Sequence, residues 1–263
     1  MWNEKRDHKV ENKKNNPIGV FDSGIGGATV LKEIIKILPN EKYIYYSDSI
    51  NNPYGDKDKK TIIGFCEKIV KYFLERGCKA IVIACNTASA QAVEQLRKEY
   101  PEIPFIAIEP AYKMVHDYAY NENTLIMATK GTMESEKFNL LLKKYDNHKT
   151  KLLPCIGLAD AIEGGNKEKL EKCLRELLEN YRGKVKNVVL GCTHYPLVEE
   201  EIRNILGKDI TFFNGAPSLA KHLKDILTEK QIKNNNLESR KTKVEFIDSS
   251  KSKEKEIRFF EFL

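Results

Sequence analysis

Two short segments of the chain carry the residue types that could do proton chemistry, and they are built alike. IVIACNTAS (81–89) and VVLGCTHYP (188–196) are each a β-branched run ending in a small residue, a cysteine and a polar group able to cap a following helix. A cysteine at such a junction faces the N-terminus of the next helix, which favours the thiolate; an ordinary thiol, with a pKa of about 8.5, is only a few per cent ionised at neutral pH. The exposed amides of the same turn can hold a carboxylate. Taken singly, Cys85 and Cys192 read as buried inert thiols, as do Cys66, Cys78, Cys155 and Cys173. Taken as a pair, with Asn86 and Thr87 after one and Thr193 and His194 after the other, they offer one acid/base on each side of a bound anion.

A third segment, FDSGIGGAT (21–29), is glycine-rich between a strand and a helix, where phosphate loops occur. It matches neither template: there is no GxxxxGK[ST], and Thr29 stands where a dinucleotide fingerprint needs its third glycine. What remains is a tight turn presenting Asp22 and Ser23 at the carboxyl end of a strand, where α/β proteins place ligands. The alternative is that one of the two only caps the helix.

The elements that must position these residues alternate in period. Short apolar runs at 17–22, 42–48, 80–84 and 104–108 alternate with segments of helical period at 26–38, 58–76 and 87–100, and a further helix starts at Pro110. In the second helix Ile62, Cys66, Ile69 and Phe73 share one face, and Gly77 follows where a left-handed cap belongs. The pattern restarts with strands at 124–129, 151–155 and 187–191, a helix near 133–145 and helices around 158–182. FFNGAPSLAKHLKDIL (212–227) then opens with a strand and helix, and the apolar finish, VEFIDSS and IRFFEFL, is expected to rejoin the first half. The reading is α/β: two pseudo-symmetric lobes, each a mainly parallel sheet flanked by helices, with the active site between them. The expected boundaries are a disordered extension over 1–16, a first lobe of 17–109 plus about 216–263, and a second of 110–215.

IGVFDSGIGGATVL, YYSDSINNPYGDK, ACNTASA and GCTHYPLV are similar to the four signature segments of the cofactor-independent glutamate racemases, and the likeness runs from about Pro17 to Leu223. The resemblance implies a two-lobed enzyme that interconverts L- and D-glutamate without cofactor, in the cytoplasm, as a supplier of D-glutamate for peptidoglycan. It implies that Cys85 removes the α-proton of D-glutamate and Cys192 that of L-glutamate, with Asp22 assisting Cys85, and His194 with Glu163 assisting Cys192. It also implies a substrate-holding set of Asp22, Ser23, Pro53, Tyr54, Gly55, Asn86, Thr87, Thr132, Thr193 and His194. A homodimer is an expectation of the likeness alone. The chain departs from the family pattern at Phe138, where a tyrosine is usual, in the loose stretch ATKGTMESEKF, and in CIGLADAIEGG (155–165) around Glu163.

Composition narrows the class. With 41% hydrophobic and 31% charged residues the chain can bury a real core. Its net charge of +6 comes from lysines scattered along the chain, without the basic and aromatic stripe of a nucleic-acid binder. No apolar run reaches membrane-spanning length, and the N-terminus lacks the apolar core of a signal peptide. The six cysteines form neither a CxxC pair nor a zinc-ribbon spacing and lie in no secretory context, so disulfides are not expected, and no metal is expected either. Three other readings stay open at this point: racemisation of aspartate or another acidic amino acid, a zinc site built from Cys85, Cys192 and His194, and a catalytically silent anion-binding protein. If both thiols do act on one carbon, one must be ionised while the other is protonated, and their titrations are coupled.

Overall fold

A computed structural model describes residues 13–236 and 243–263. Nine strands form two all-parallel sheets among these residues: β1 (Ile18–Asp22), β2 (Lys42–Ser47), β3 (Ala80–Ile83), β4 (Phe105–Ala107) and β9 (Lys243–Asp248) in one, and β5 (Thr124–Ala128), β6 (Thr150–Pro154), β7 (Asn187–Gly191) and β8 (Thr211–Phe213) in the other. Parallel neighbours need crossovers, and helices supply them: α1 (Ala28–Ile37), α2 (Lys59–Glu75), α3 (Asn86–Glu99) and α4 (Tyr112–Ala119), then α5 (Lys130–Met133), α6 (Glu136–Tyr145), α7 (Leu158–Gly164), α8 (Lys167–Leu178), α9 (Glu199–Leu206), α10 (Ala216–Glu229) and α11 (Lys253–Phe262).

The two sheets repeat one plan. The first runs β4-β3-β1-β2-β9 and the second β8-β7-β5-β6, so with β1 matched to β5 the same order recurs, and β9 is an added edge. Hydrogen-bonded register carries the match down to single residues. Ile83 lies beside Phe21 and Leu190 beside Met127, so Cys85 and Cys192, each two residues further on, stand at equivalent places. Both lie at the point where strand order reverses, outside the carboxyl ends of the strands, which is where open α/β sheets form a crevice. The C-terminal strand pairs in parallel with β2, Val244 beside Tyr43 and Ile247 beside Tyr46, so the apolar tail does return to the first sheet.

Each sheet is covered on both faces, which is why its strands are continuous apolar runs. Alternate residues of β3 divide between two cores: Ala80 and Val82 pack with α1 and α10, Ile81 and Ile83 with α2 and α3. In β7, Val188 and Leu190 pack with α7, α8 and α9, while Val189 joins Phe138 and Tyr112 on the other face. Gly77 adopts φ +69° just past α2, as its place in the pattern requires. The helix expected near 133–145 is α6, which starts at Glu136 because Ser135 caps it, its hydroxyl accepting from the amide of Phe138 at 3.1 Å; the short α5 before it was not expected.

Of the expected disordered extension, residues 1–12 lie outside the described residues. Residues 13–16 turn back toward the fold, the Lys14 carbonyl accepting from Lys79 Nζ at 2.7 Å. That ammonium is also paired with Glu41, and both side chains are sealed from solvent. Glu41 in turn accepts from the amide of Asn234 at 2.8 Å, so one buried pair ties four stretches of chain beneath the first sheet. Breaking such a pair from one side strands a buried charge, which costs about 3–5 kcal/mol, whereas replacing both partners with apolar groups is far milder. Glu41→Leu is therefore expected to lose about 3 kcal/mol in urea unfolding at neutral pH, and Glu41→Leu with Lys79→Met to recover most of it. A single variant within about 1 kcal/mol of the parent would contradict this.

Candidate active site

The turn after β1 brings Asp22 and Ser23 to the crevice of the first lobe. Asp22 is fully buried, and its Oδ2 accepts from the Gly27 amide at 2.7 Å and, from the other lobe, from the Thr193 hydroxyl at 3.0 Å. Asp22 and Ser23 do more than cap α1, whose first residue is preceded by Gly27 with no side-chain cap. Thr29 reinforces the crossing, its hydroxyl donating to the Thr193 carbonyl at 2.9 Å.

The glycines of this turn have a steric reason. A Cβ on Gly26 would come within 2.6 Å of Nδ1 of His194, and one on Gly24 would collide with Oε2 of Glu163. Real carbon contacts are never that short, so any side chain here would push the second-lobe residues away. FDSGIGG is thus a surface shaped for the opposing lobe.

Cys85 sits at the N-cap of α3, 5% exposed, its Sγ accepting from the Ala88 amide at 3.5 Å and lying 3.8 Å from Ser23 Oγ. The helix terminus was expected to lower this thiol. Burial instead pushes it well above its ordinary range, the Asp22 carboxylate adds to the rise, and the Ala88 amide only partly offsets both. Burial raises Asp22 as well, against the charge of His194 and the bond from Thr193.

On the second lobe, Cys192, His194 and Glu163 form a chain. Cys192 Sγ is 3.7 Å from His194 Nδ1, and Nε2 on the far side of the ring is 2.8 Å from Glu163 Oε2. Burial opposes charge on His194, but the thiol and carboxylate partners outweigh it and hold the imidazole well above its usual pKa. Glu163 would likewise be raised by burial, yet His194 and Lys255 bring it down to about 2. Glu163 thus reaches the site despite its atypical surroundings in sequence; the left-handed Gly157 and Gly165 that bracket α7 set its aim.

The remaining expected residues divide. Thr87 and Thr132 meet across the lobes, Oγ1 to Oγ1, at 3.3 Å. Gly55 lies against the same place, its carbonyl packed on Gly131 and its Cα on Thr129. Asn86 begins α3 with both amide atoms buried and unpartnered, as is Asp22 Oδ1. The Tyr54 side chain is buried in the core that also holds Cys85, its ring beside Phe65 and its hydroxyl donating to Asp48 at 2.6 Å. Pro53 precedes it, its carbonyl accepting from Lys57 Nζ at 3.1 Å. Sequence reasoning missed Thr129, which caps α5 and stands 2.8 Å from Thr87 Oγ1. The signal was available: Thr129 follows β5 as Ser23 follows β1. Phe138, in place of the usual tyrosine, is a core residue that also lines a cavity of about 50 Å³ with Asn86 and Thr132. Among the described residues, no group of three or more His, Cys, Asp or Glu could hold a metal ion.

Because Glu163 falls from an ordinary 4.5 to about 2 on folding, it contributes stability at pH 7 that is lost as pH falls through that window, amounting to about 3 kcal/mol. The upward shift of His194 reflects the same contact and is not added to it. The stability gap between the parent and Glu163→Gln should be level from about pH 5 to 6, shrink below about 4.5, and shrink again above about 6.5, where the imidazole that Glu163 helps keep protonated costs a proton to hold. A gap unchanged down to about pH 3 in denaturant titrations would contradict the ionised state.

Residues 18–223 match the family model described as Asp/Glu/Hydantoin racemase. The glutamate racemase of Clostridium botulinum is 42% identical over 244 residues, covering 91% of this chain and 94% of that relative. Among solved structures, glutamate racemase from Francisella tularensis in complex with D-glutamate is similar with a TM-score of 0.80 at 32% identity, covering 95% of this chain and 94% of that one. The Escherichia coli glutamate racemase in complex with L-glutamate and the activator UDP-MurNAc-ala superimposes with a TM-score of 0.76 at 26% identity, over 89% of this chain and 98% of that one. With a family model spanning most of the sequence and a glutamate racemase 42% identical over 91% of this chain, this chain belongs to the Asp/Glu/hydantoin racemase family.

Proposed function

We propose that the protein interconverts L- and D-glutamate by two-base proton transfer between Cys85 and Cys192, without a cofactor. The observation that carries this reading is that the two thiols occupy register-equivalent turns of the two sheets and are close enough for the charge of one to act on the other. Glutamate is favoured over aspartate by the curated and structural relatives, whose names and bound ligands are glutamate racemase, D-glutamate and L-glutamate.

An amino acid without an electron sink resists loss of its α-proton. Acid/base catalysis contributes only about 10²- to 10⁴-fold, so the carbanion needs electrostatic stabilisation from fixed donors in a dry site. The Asn86 amide and the hydroxyls of Ser23, Thr87, Thr132 and Thr193, together with the amides opening α3, are suited to the substrate carboxylate, and Asp22 Oδ1 to its ammonium. The backbone of Pro53, Tyr54 and Gly55 closes one side.

The two halves are not equivalent electrostatically. Cys85 rests protonated, pushed up by burial and by Asp22, and so is ready to donate. His194 keeps a proton beside the Cys192 sulfur, supported by Glu163. In this account the free enzyme is set to take the α-proton of L-glutamate at Cys192 and deliver one from Cys85. In the reverse direction the roles exchange, Asp22 taking the Cys85 proton and His194 returning one to Cys192. In this reading residues 17–109 with about 216–263 make the first lobe, of which 237–242 lie outside the described residues, and 110–215 the second, with substrate between them. The product fits D-glutamate supply for peptidoglycan by a cytoplasmic enzyme, and no helix among the described residues is long and apolar enough to cross a membrane.

Loss of optical activity from L- or D-glutamate, followed polarimetrically with the purified chain, tests the reading. Cys85→Ser and Cys192→Ser are each expected to reduce net racemisation by about 10²- to 10⁴-fold with the fold intact. Wild-type turnover in either variant, or an inert parent, contradicts it.

A further inference from the structure

The Glu163 carboxylate spends only one oxygen on His194. The other, Oε1, accepts from Nζ of Lys255 at 2.8 Å, and Lys255 lies on α11, at the far end of the chain. One turn along the same helix, Arg258 donates to the Glu163 carbonyl and, at 3.0 Å, to that of Ile162. These are carbonyls of the last turn of the short helix α7, that of Ile162 also accepting from the Gly165 amide at 3.2 Å, and a cation is favourable at that end. Gly165 makes room: a Cβ there would stand 3.0 Å from Arg258 Nη1.

α11 takes its footing on the first lobe. Phe259 is fully buried, its ring 4.4 Å from that of Tyr45 on β2 and 4.6 Å from Phe246 on β9. The Tyr45 hydroxyl then donates to the carbonyl of Gly24, in the turn that carries Asp22. So a helix fixed to one lobe grips, through two cations three residues apart on one face, the residue of the other lobe that orients His194. A carboxylate held at both oxygens cannot rotate away from the imidazole, and its aim at Nε2 fixes the distance from Nδ1 to the Cys192 sulfur.

We propose that Lys255, supported by Arg258, is a positioning residue: it fixes Glu163, and through it His194 against Cys192, so that this half of the site is assembled only when the C-terminal helix bridges the lobes. The inference rests on the two-thiol reading above and adds the element that switches one of its bases on.

Lys255→Met and Lys255→Arg, made in the full chain, separate positioning from simple loosening. The Lys255→Met variant should lose about 10-fold or more in kcat/KM, the scale of one hydrogen bond to a charged group, equally in both directions because the two enantiomers have equal energy. Slower transfer at Cys192 should make removal of the label from α-deuterated L-glutamate more rate-limiting and that from D-glutamate less so. The primary isotope effect therefore rises for the L substrate and falls for the D substrate, and Lys255→Arg restores both. Turnover within twofold of the parent, or isotope effects that do not diverge with no rescue by arginine, would overturn the proposal while leaving the two-thiol reading intact. A parent that racemises without needing Cys192 overturns both.

Discussion

A buried carboxylate of one lobe, Asp22, accepts a hydrogen bond from a hydroxyl of the other, Thr193, and the remainder of the site is arranged around that contact. The bond requires the two crevices to face each other at van der Waals distance, and this is why the turn after β1 is rich in glycine. Gly24 and Gly26 let Glu163 and His194 approach to distances no side chain would allow. It also excludes water, leaving Cys85 and Cys192 5% and 8% exposed. Charges in such a place are strong and long-ranged, which explains why Cys85, Asp22 and His194 are held above their ordinary ranges and Glu163 below its own.

The asymmetry between the halves follows from what surrounds each thiol. Cys85 has an acidic neighbour and a hydroxyl, so burial dominates and the proton stays on sulfur. Cys192 has an imidazole backed by a carboxylate, which is backed in turn by a lysine. Different second neighbours thus make the two thiol sites unlike within a fold whose strand plan is repeated.

Much of this was legible beforehand because local chemistry and global fold agree. β-branched runs ending in Ala-Cys and Gly-Cys can hardly be anything but buried parallel strands feeding helices, and the register confirms that they are equivalent. What was not legible depends on contacts between segments distant in sequence. The role of Thr129 shows only when β5 is laid on β1, and the withdrawal of Tyr54 into the core only when Asp48 is seen to receive its hydroxyl. The lowering expected of Cys85 failed because a helix terminus is a local term, whereas its burial is set by the opposing lobe. Similarly, nothing in KSKEKEIRFF distinguishes Lys255 and Arg258 from their exposed neighbours; their partners lie more than ninety positions away.

The central claim, that two different sulfur atoms serve opposite faces of one carbon, is tested most directly by where solvent hydrogen goes in the first few per cent of a reaction run in D₂O. A thiol carries a single proton. With two bases, the newly formed enantiomer contains deuterium delivered by the second thiol, while unreacted substrate recovered from the same sample retains protium at its α-carbon. Deuterium entering the substrate pool as fast as the product, or product formed with the substrate's own protium, would mean that one base serves both faces and would contradict the account.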